Sequence, residues 1–222
     1  MCFSSSIAHL VSGVRTKDGG LLEADVVVAN ADLPYVYQNL LPDKKMGEKF
    51  SHLKYTSSAI MFYWGMDKQF TELSVHNMFL AKNFRSSFDD IFKRFTLPEE
   101  PSFYIHVPSR IDPTAAPPNQ DTFMVLVPCG HIEEAKDQQW DELIARARAA
   151  VLRKLKEEVK LESIEEHIKF EEIISPAIWK DKFNLAKGSC FGLSHTFTQL
   201  GYLRPQNQHD TLRNLFFTGC ST

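Results

Sequence analysis

Apolar positions change their spacing several times along the chain. Leu22 to Ala29 runs through an unbroken Val26-Val27-Val28. A continuous apolar strand of this kind is expected to be buried on both faces, as in the centre of a parallel sheet. Ahead of it, Ile7 to Arg15 alternates loosely, and Lys17-Asp18-Gly19-Gly20 is turn chemistry. The opening therefore predicts strand, hairpin turn, strand. Asp32 precedes Leu33-Pro34 and is placed to cap a helix from about Pro34 to Leu41, stopped at Pro42. Residues 43–55 read as a polar connection with a short helical turn.

The middle of the chain alternates strands with helices. Ser58 to Met66 and Asn77 to Ala81 read as strands. Phe88, Ile91, Phe92 and Phe95 fall at i, i+3, i+4 and i+7, which predicts an amphipathic helix over Ser86–Phe95 with Ser86 as its cap. Phe103–Val107 and Thr122–Val127 are two further strands. Between them lies a proline-rich surface loop, residues 108–120. Trp140, Leu143, Ile144, Ala147, Val151, Leu155 and Val159 hold a helical period over 138–160, with Arg153, Lys154, Lys156, Glu157 and Glu158 as its solvated face. His167–Ile174 reads as a strand, Pro176 opens a helix to about Phe183, and Leu215–Thr218 is a last strand. The ends look like strands of one buried sheet, and the middle like a mixed antiparallel sheet with helices. The expected fold class is mixed α/β: part of a Rossmann-like domain with a second domain inserted into it.

Composition narrows the function classes. With 222 residues, 43% hydrophobic and 24% charged, the chain is a folded globular protein with a sizeable core. Its 17 phenylalanines are many, and they suit either core or a pocket for a long apolar ligand. A net charge of −3 without a basic run argues against a nucleic-acid partner. Cys2, Cys129, Cys190 and Cys220 are far apart and lack metal-ligand spacing. They are expected to be free, mostly buried thiols, and no metal site is expected. No apolar run reaches the roughly 18–20 residues that cross a bilayer, and Met1–Leu10 lacks the features of a signal peptide.

Four segments in register carry a resemblance. They are Glu23-Ala24-Asp25-Val26-Val27-Val28-Ala29-Asn30-Ala31-Asp32-Leu33, then Ser102-Phe103-Tyr104-Ile105-His106-Val107-Pro108-Ser109-Arg110-Ile111-Asp112-Pro113, then Lys182-Phe183-Asn184-Leu185-Ala186-Lys187-Gly188-Ser189, and Asn214-Leu215-Phe216-Phe217-Thr218-Gly219. In order and spacing, from about residue 7 onward, the chain resembles fungal-type phytoene desaturases. Two family features are absent from it: the Gly-rich GxGxxG loop that holds a dinucleotide pyrophosphate, and the His-Pro-Gly-rich loop that follows a Thr-Gly-x-Ser-Thr-like segment. Met1–Ser6 does not resemble the family. The resemblance implies a partial FAD-binding domain over 1–50, a substrate domain over 51–187, and a return to the FAD-binding domain over 188–222. The chain by itself is expected to be inactive.

The family chemistry implied is removal of a hydride by FAD and of a proton from a linear carotenoid such as phytoene, leaving a new double bond. Gly219, Cys220, Ser221 and Thr222 correspond to a segment that approaches the flavin, although a plain strand-end turn also accounts for them. Asn30 and Asp32 lie at a strand end where such sheets bind ligands, but a helix cap is the reading Asp32 suits better. Arg204 lies in a segment near the flavin and could pair with a phosphate or a ring oxygen, or could be a surface arginine. His106, Arg110 and Asp112 are candidate polar groups or proton acceptors at a substrate tunnel, with loop architecture as the alternative. His195 reads as a structural histidine. The resemblance also implies a peripheral membrane surface as partner, on the cytoplasmic side of an endomembrane. Other readings are a related FAD oxidoreductase (carotenoid isomerase, retinol saturase or amine oxidase-like) and an inactive truncated product.

Overall fold

The computed structural model describes residues 2–5, 9–41, 44–134 and 136–222, with the side chains of 2–5 and 44 left aside. Ile7 and Pro42, which figure in two of the expected elements, lie outside the described residues. The chain divides into two compact units, one of residues 1–56 with 180–222, the other Ser57–Trp179. The fold is mixed α/β, as expected.

In the first unit, β1 (Cys2–Ser5), β2 (Val11–Arg15) and β3 (Leu21–Glu23) form an antiparallel sheet. The turn between β2 and β3 closes through Thr16 and Gly20, as the Asp-Gly-Gly pattern predicts. β4 (Val27–Ala29) pairs in parallel with β10 (Leu215–Phe217). Asn214 fixes that pairing to its neighbours. Its amide donates to the carbonyls of Val11 (2.7 Å) and Asp25 (2.9 Å), and its side-chain oxygen accepts from the Val11 N–H at 2.8 Å. A helix, α1, starts at Leu33–Tyr35 and widens into a π turn over Val36–Leu40, and α2 spans Lys44–Ser51. Where a short turn was expected, α2 is a full helix. Val27, Ala29, Val36, Tyr37, Leu215 and Phe217 form the core of this unit.

β4 departs from expectation. Val27 and Ala29 are buried, but Val26 and Val28 are 55% and 59% exposed. Only one face of the valine run meets the core, because side chains on a strand alternate and α1 covers one side.

The second unit is built on a five-stranded antiparallel sheet in the order β6-β7-β8-β5-β9. Its strands are β5 (Ser58–Met66), β6 (His76–Phe79), β7 (Phe103–His106), β8 (Asp121–Cys129) and β9 (Ile168–Ile174). β5 and β8 pair over nine residues, from Ser58 opposite Cys129 to Met66 opposite Asp121. One face presents Phe62, Trp64, Ile105, Phe123 and Val125, all wholly buried. Against it packs α4 (Trp140–Val159) through Leu143, Ala147, Val151 and Leu155. Lys154, read as part of the solvated face, is instead buried, donating to the Leu80 carbonyl at 2.5 Å and facing Glu100 at 3.5 Å. A long aliphatic stem can be buried when its charged end finds partners.

The other face of this sheet is only half-covered along β7 and β8. Tyr104, His106, Met124 and Leu126 are half-buried there. Leu126 lies between Tyr104 and Met61, and Met124 between His106 and Tyr63. A helix, α3, spans Phe84–Asp89 and continues as a π turn over Asp90–Arg94. Its cap is Asn83, whose side chain accepts from the Ser86 N–H at 3.1 Å, not Ser86 itself. Of the expected inner stripe only Ile91 is buried; Phe88 and Phe92 are exposed. The last helix, α5, spans Pro176–Phe183.

Candidate functional site

β4 and β10 run in parallel, so their C-terminal ends open side by side. A cleft of ≈ 200 Å³ lies there, lined by Asn30, Asp32, Leu185, Gly219, Ser221 and Thr222, among others. The Asn30 side chain donates to the Thr218 carbonyl at 3.1 Å, and the Thr218 N–H to the Ala29 carbonyl at 3.1 Å, which ties the two strand ends together. Gly219 has φ 143, a region that side chains rarely adopt, and a Cβ built there would find only the Asn30 amide, at 3.9 Å. The backbone thus leaves open space at Gly219 that any other residue would fill.

Asp32 stands at the head of α1 but makes no capping bond. Its carboxylate instead accepts from the Ala186 N–H at 2.8 Å and the Ser221 hydroxyl at 3.1 Å. Ser221 in turn accepts from the Leu193 N–H at 3.3 Å. The side chain therefore joins the two other chain segments of the cleft, 185–193 and 219–222, to the β4 end. Burial pushes the Asp32 carboxyl above its ordinary value, against the lowering effect of these donors. Burial, with the charge of Asp32 second, also raises the Tyr55 hydroxyl and the Cys220 thiol.

Arg204 is spent on architecture. Its guanidinium donates to the carbonyls of Thr222 and Gln199 (both 3.3 Å), Leu193 (3.4 Å) and Cys220. It holds the 220–222 turn by its backbone oxygens, while Ser221 Oγ is engaged by Asp32 and the Leu193 N–H, and the Thr222 hydroxyl donates to the Gly219 carbonyl at 3.2 Å. Gly192 matters for the same turn. With φ +69, a Cβ there would sit 2.6 Å from Ser221 Oγ and 2.7 Å from Cys220 Sγ. No signal short of the fold marked Gly192, which carries no side-chain chemistry, and Ala186 stood out only as part of the 182–189 segment of the resemblance.

The second unit uses two of the three tunnel candidates for structure. Arg110 clamps Asp121, 1% exposed, with Nη1 at 2.6 Å and Nη2 at 2.8 Å, and also reaches the carbonyls of Leu73 (3.1 Å) and Phe70 (2.5 Å). Asp121 further accepts from the Ser109 hydroxyl and the Phe70 N–H. Burial pushes the Asp121 carboxyl up, but these donors and the Arg110 charge outweigh it and hold it below the ordinary carboxylate range. Asp112 caps the turn Pro113–Ala115, accepting from the Thr114 N–H at 2.9 Å. His106 stacks on His76 across the β6–β7 pair, centroids 5.1 Å apart, on the half-covered face of the sheet. His76 Nδ1 lies 2.5 Å from the Tyr104 hydroxyl. His195 is exposed. Of the thiols described, Cys129 is buried, Cys190 half-buried and Cys220 exposed, so the expectation of mostly buried thiols holds for Cys129 alone.

The fold and the cleft define the class first: a mixed α/β protein with a ligand-type opening at the ends of parallel strands. A solved oxidoreductase from Methanosarcina mazei shares this fold, with a TM-score of 0.56 at 13% identity over 99% of this chain and 43% of its own. In sequence, the chain is similar over nearly its whole length to phytoene desaturases. It is 46% identical to the phytoene desaturase of Phycomyces blakesleeanus over 96% of this chain and 37% of the relative, and 43% identical to that of Neurospora crassa over 95% and 36%. It thus spans little more than a third of the length of these curated relatives. No family model matches the chain.

Proposed function

We propose that this chain is part of an FAD-dependent phytoene desaturase, an oxidoreductase that introduces double bonds into a linear carotenoid. The observation that carries the reading is the cleft at the ends of β4 and β10. It is built by two segments of the family resemblance, with a third, 182–189, tied in through Ala186 and Asp32.

The residues present fit one side of a cofactor. Gly219 gives backbone space, and Asn30, Cys220, Ser221 and Thr222 offer a rim around it. Asp32 and Arg204 would set the positions of these groups, Asp32 through Ser221 and Arg204 through the 220–222 carbonyls. When bound, FAD would supply the two-electron acceptor that loss of hydride from a saturated carbon–carbon pair of the substrate requires. The protein's part is to hold an apolar chain in place and keep water away from it. The half-covered sheet face, with Met61, Tyr104, Met124 and Leu126, suits that part. His106 is the tunnel candidate that remains on this face. Arg110 and Asp112 contribute by holding the β6–β8 end of the sheet in shape. Because a carotenoid resides in lipid, the enzyme would work as a peripheral protein at a membrane surface, on the cytoplasmic side of an endomembrane.

The test is flavin content and turnover of the full-length protein, with and without Gly219→Val. The unsubstituted protein is expected to be yellow and to convert phytoene in lipid vesicles. The valine, strained at φ 143 and projecting into the cleft, is expected to lower bound flavin several-fold at an unchanged circular dichroism spectrum. A colourless, inert full-length protein would overturn the reading.

A further inference from the structure

One row of side chains crosses all five strands of the second unit's sheet on its half-covered face. In register it runs Glu172 on β9, Tyr63 on β5, Met124 on β8, His106 on β7 and His76 on β6. The next row holds Met61, Leu126 and Tyr104. These side chains are thioethers, an alkyl group and phenols, broken by two imidazoles and one carboxylate. Thioethers and phenols bind a proton poorly at neutral pH, whereas a neutral imidazole offers a basic lone pair. Glu172 and His76, on the two edge strands, are exposed. His106 is the base of the row that is half-buried among the apolar groups.

The His106 ring is held without its nitrogens being used. It stacks on His76, with centroids 5.1 Å and planes 17° apart, and lies alongside Tyr104 at 6.5 Å and 15°. His76 is fixed in turn, its Nδ1 2.5 Å from the Tyr104 hydroxyl. Among the described residues, neither nitrogen of His106 has a hydrogen-bond partner. Arg110 and Asp112 differ in this respect, because their polar atoms are engaged within the fold. A ring gripped by its faces keeps a defined plane and an open lone pair, as a positioned base requires.

We propose that His106 accepts the proton lost as each double bond forms, and that His76 and Tyr104 are positioning residues that hold its ring. The inference rests on the desaturase reading, which supplies both the substrate and the flavin. One hydrogen of the saturated carbon pair leaves as hydride, with its two electrons, to the flavin. The hydrogen on the neighbouring carbon leaves as a proton to a nitrogen lone pair of His106, and the electrons of that C–H bond become the new π bond. Departure of the hydride makes this second hydrogen strongly acidic, so a neutral imidazole suffices to take it. The imidazolium then gives the proton to water at the β6 edge, where His76 is exposed.

The experiment is anaerobic reduction of the flavin of the full-length protein by phytoene in phosphatidylcholine vesicles, followed over a single turnover. His106→Ala is expected to slow reduction about 100-fold. Free imidazole is expected to restore part of that rate by entering the space the ring leaves. His106→Phe keeps a ring to stack on His76 but has no lone pair. It is expected to be as slow as His106→Ala and to gain nothing from imidazole. Glu172→Gln is expected to react at the parent rate. Bound flavin and melting temperature show whether each variant is folded, and where His106→Ala falls short in either, His106→Phe carries the test. A His106→Phe protein as fast as the parent would overturn the proposal, because the ring would then serve packing alone. So would a folded His106→Ala protein that imidazole does not quicken, or a comparable loss of rate in Glu172→Gln instead. The desaturase reading fails separately: a parent that holds flavin yet is not reduced by phytoene removes that reading and the proposal with it, whereas a reducible parent matched by its His106 variants removes the proposal alone.

Discussion

Arg110 shows how a residue can look functional and be structural. A cation in the most distinctive sequence segment invited a role at a substrate, yet its guanidinium is engaged by one buried carboxylate and two carbonyls. Removing one partner of such a pair leaves an uncompensated charge inside the protein. Arg110→Ala is expected to cost about 3–5 kcal/mol in a urea melt at neutral pH. The pH dependence has a definite sign. Asp121 titrates lower in the folded chain than in the unfolded one, so its contribution is fully present above about pH 4 and is lost as pH falls through the lowered folded value. Arg110→Ala should therefore flatten the acid limb of stability against pH. Asp32 works in the opposite direction. Its folded value is raised, so its contribution declines as pH rises from about 4 through that raised value. An acid limb that stays as steep in Arg110→Ala as in the parent would show that the clamp is not what depresses Asp121.

Among the elements, those with strong periodicity were readable from sequence, and those set by tertiary partners were not. β5 and α4 stand within two residues of where a strand-length apolar, aromatic run and the 3.6 period put them. α3 was found, but its start and its inner face were misread. Ser86 has the right chemistry for a cap, yet Asn83 lies three residues earlier and its oxygen meets the Ser86 N–H. Local pattern alone does not choose between two capping residues so close together. Asn83→Ala is expected to cost about 1 kcal/mol, while Ser86→Ala should be near neutral. Equal losses in thermal melts of the two variants would contradict the assigned cap. The stripe Phe88, Ile91, Phe92 failed differently: a helical period says which residues share a face, not whether the protein or something else covers it. The same holds at the cleft. Strand ends bearing Asn30, Asp32 and Gly219 were legible as candidates. That Asp32 would reach Ala186 and Ser221, and Arg204 four carbonyls, depended on contacts between segments far apart in sequence.

For the whole molecule, the distribution of exposed apolar surface is the main physical consequence of the fold. A valine run expected to be buried twice is buried once, and Val26 and Val28 face outward from a sheet of two strands. Two parallel strands have unpaired edges as well as an open face, and such surfaces pair with other chains. In the same unit Leu22, Phe197, Tyr202 and Leu203 are also exposed. Net charge is only −3, so electrostatic repulsion between copies is weak at neutral pH. The 222-residue chain is therefore expected to self-associate as concentration rises, and to do so through the β4 face. Val28→Lys should reduce that association without lowering the melting temperature, because the Val28 side chain points away from the core that Val27 and Ala29 enter. Light scattering across a concentration series reads this directly. If parent and variant associate alike, another surface drives the contact; if the variant unfolds at a lower temperature, Val28 is covered in solution and the open β4 face does not exist there.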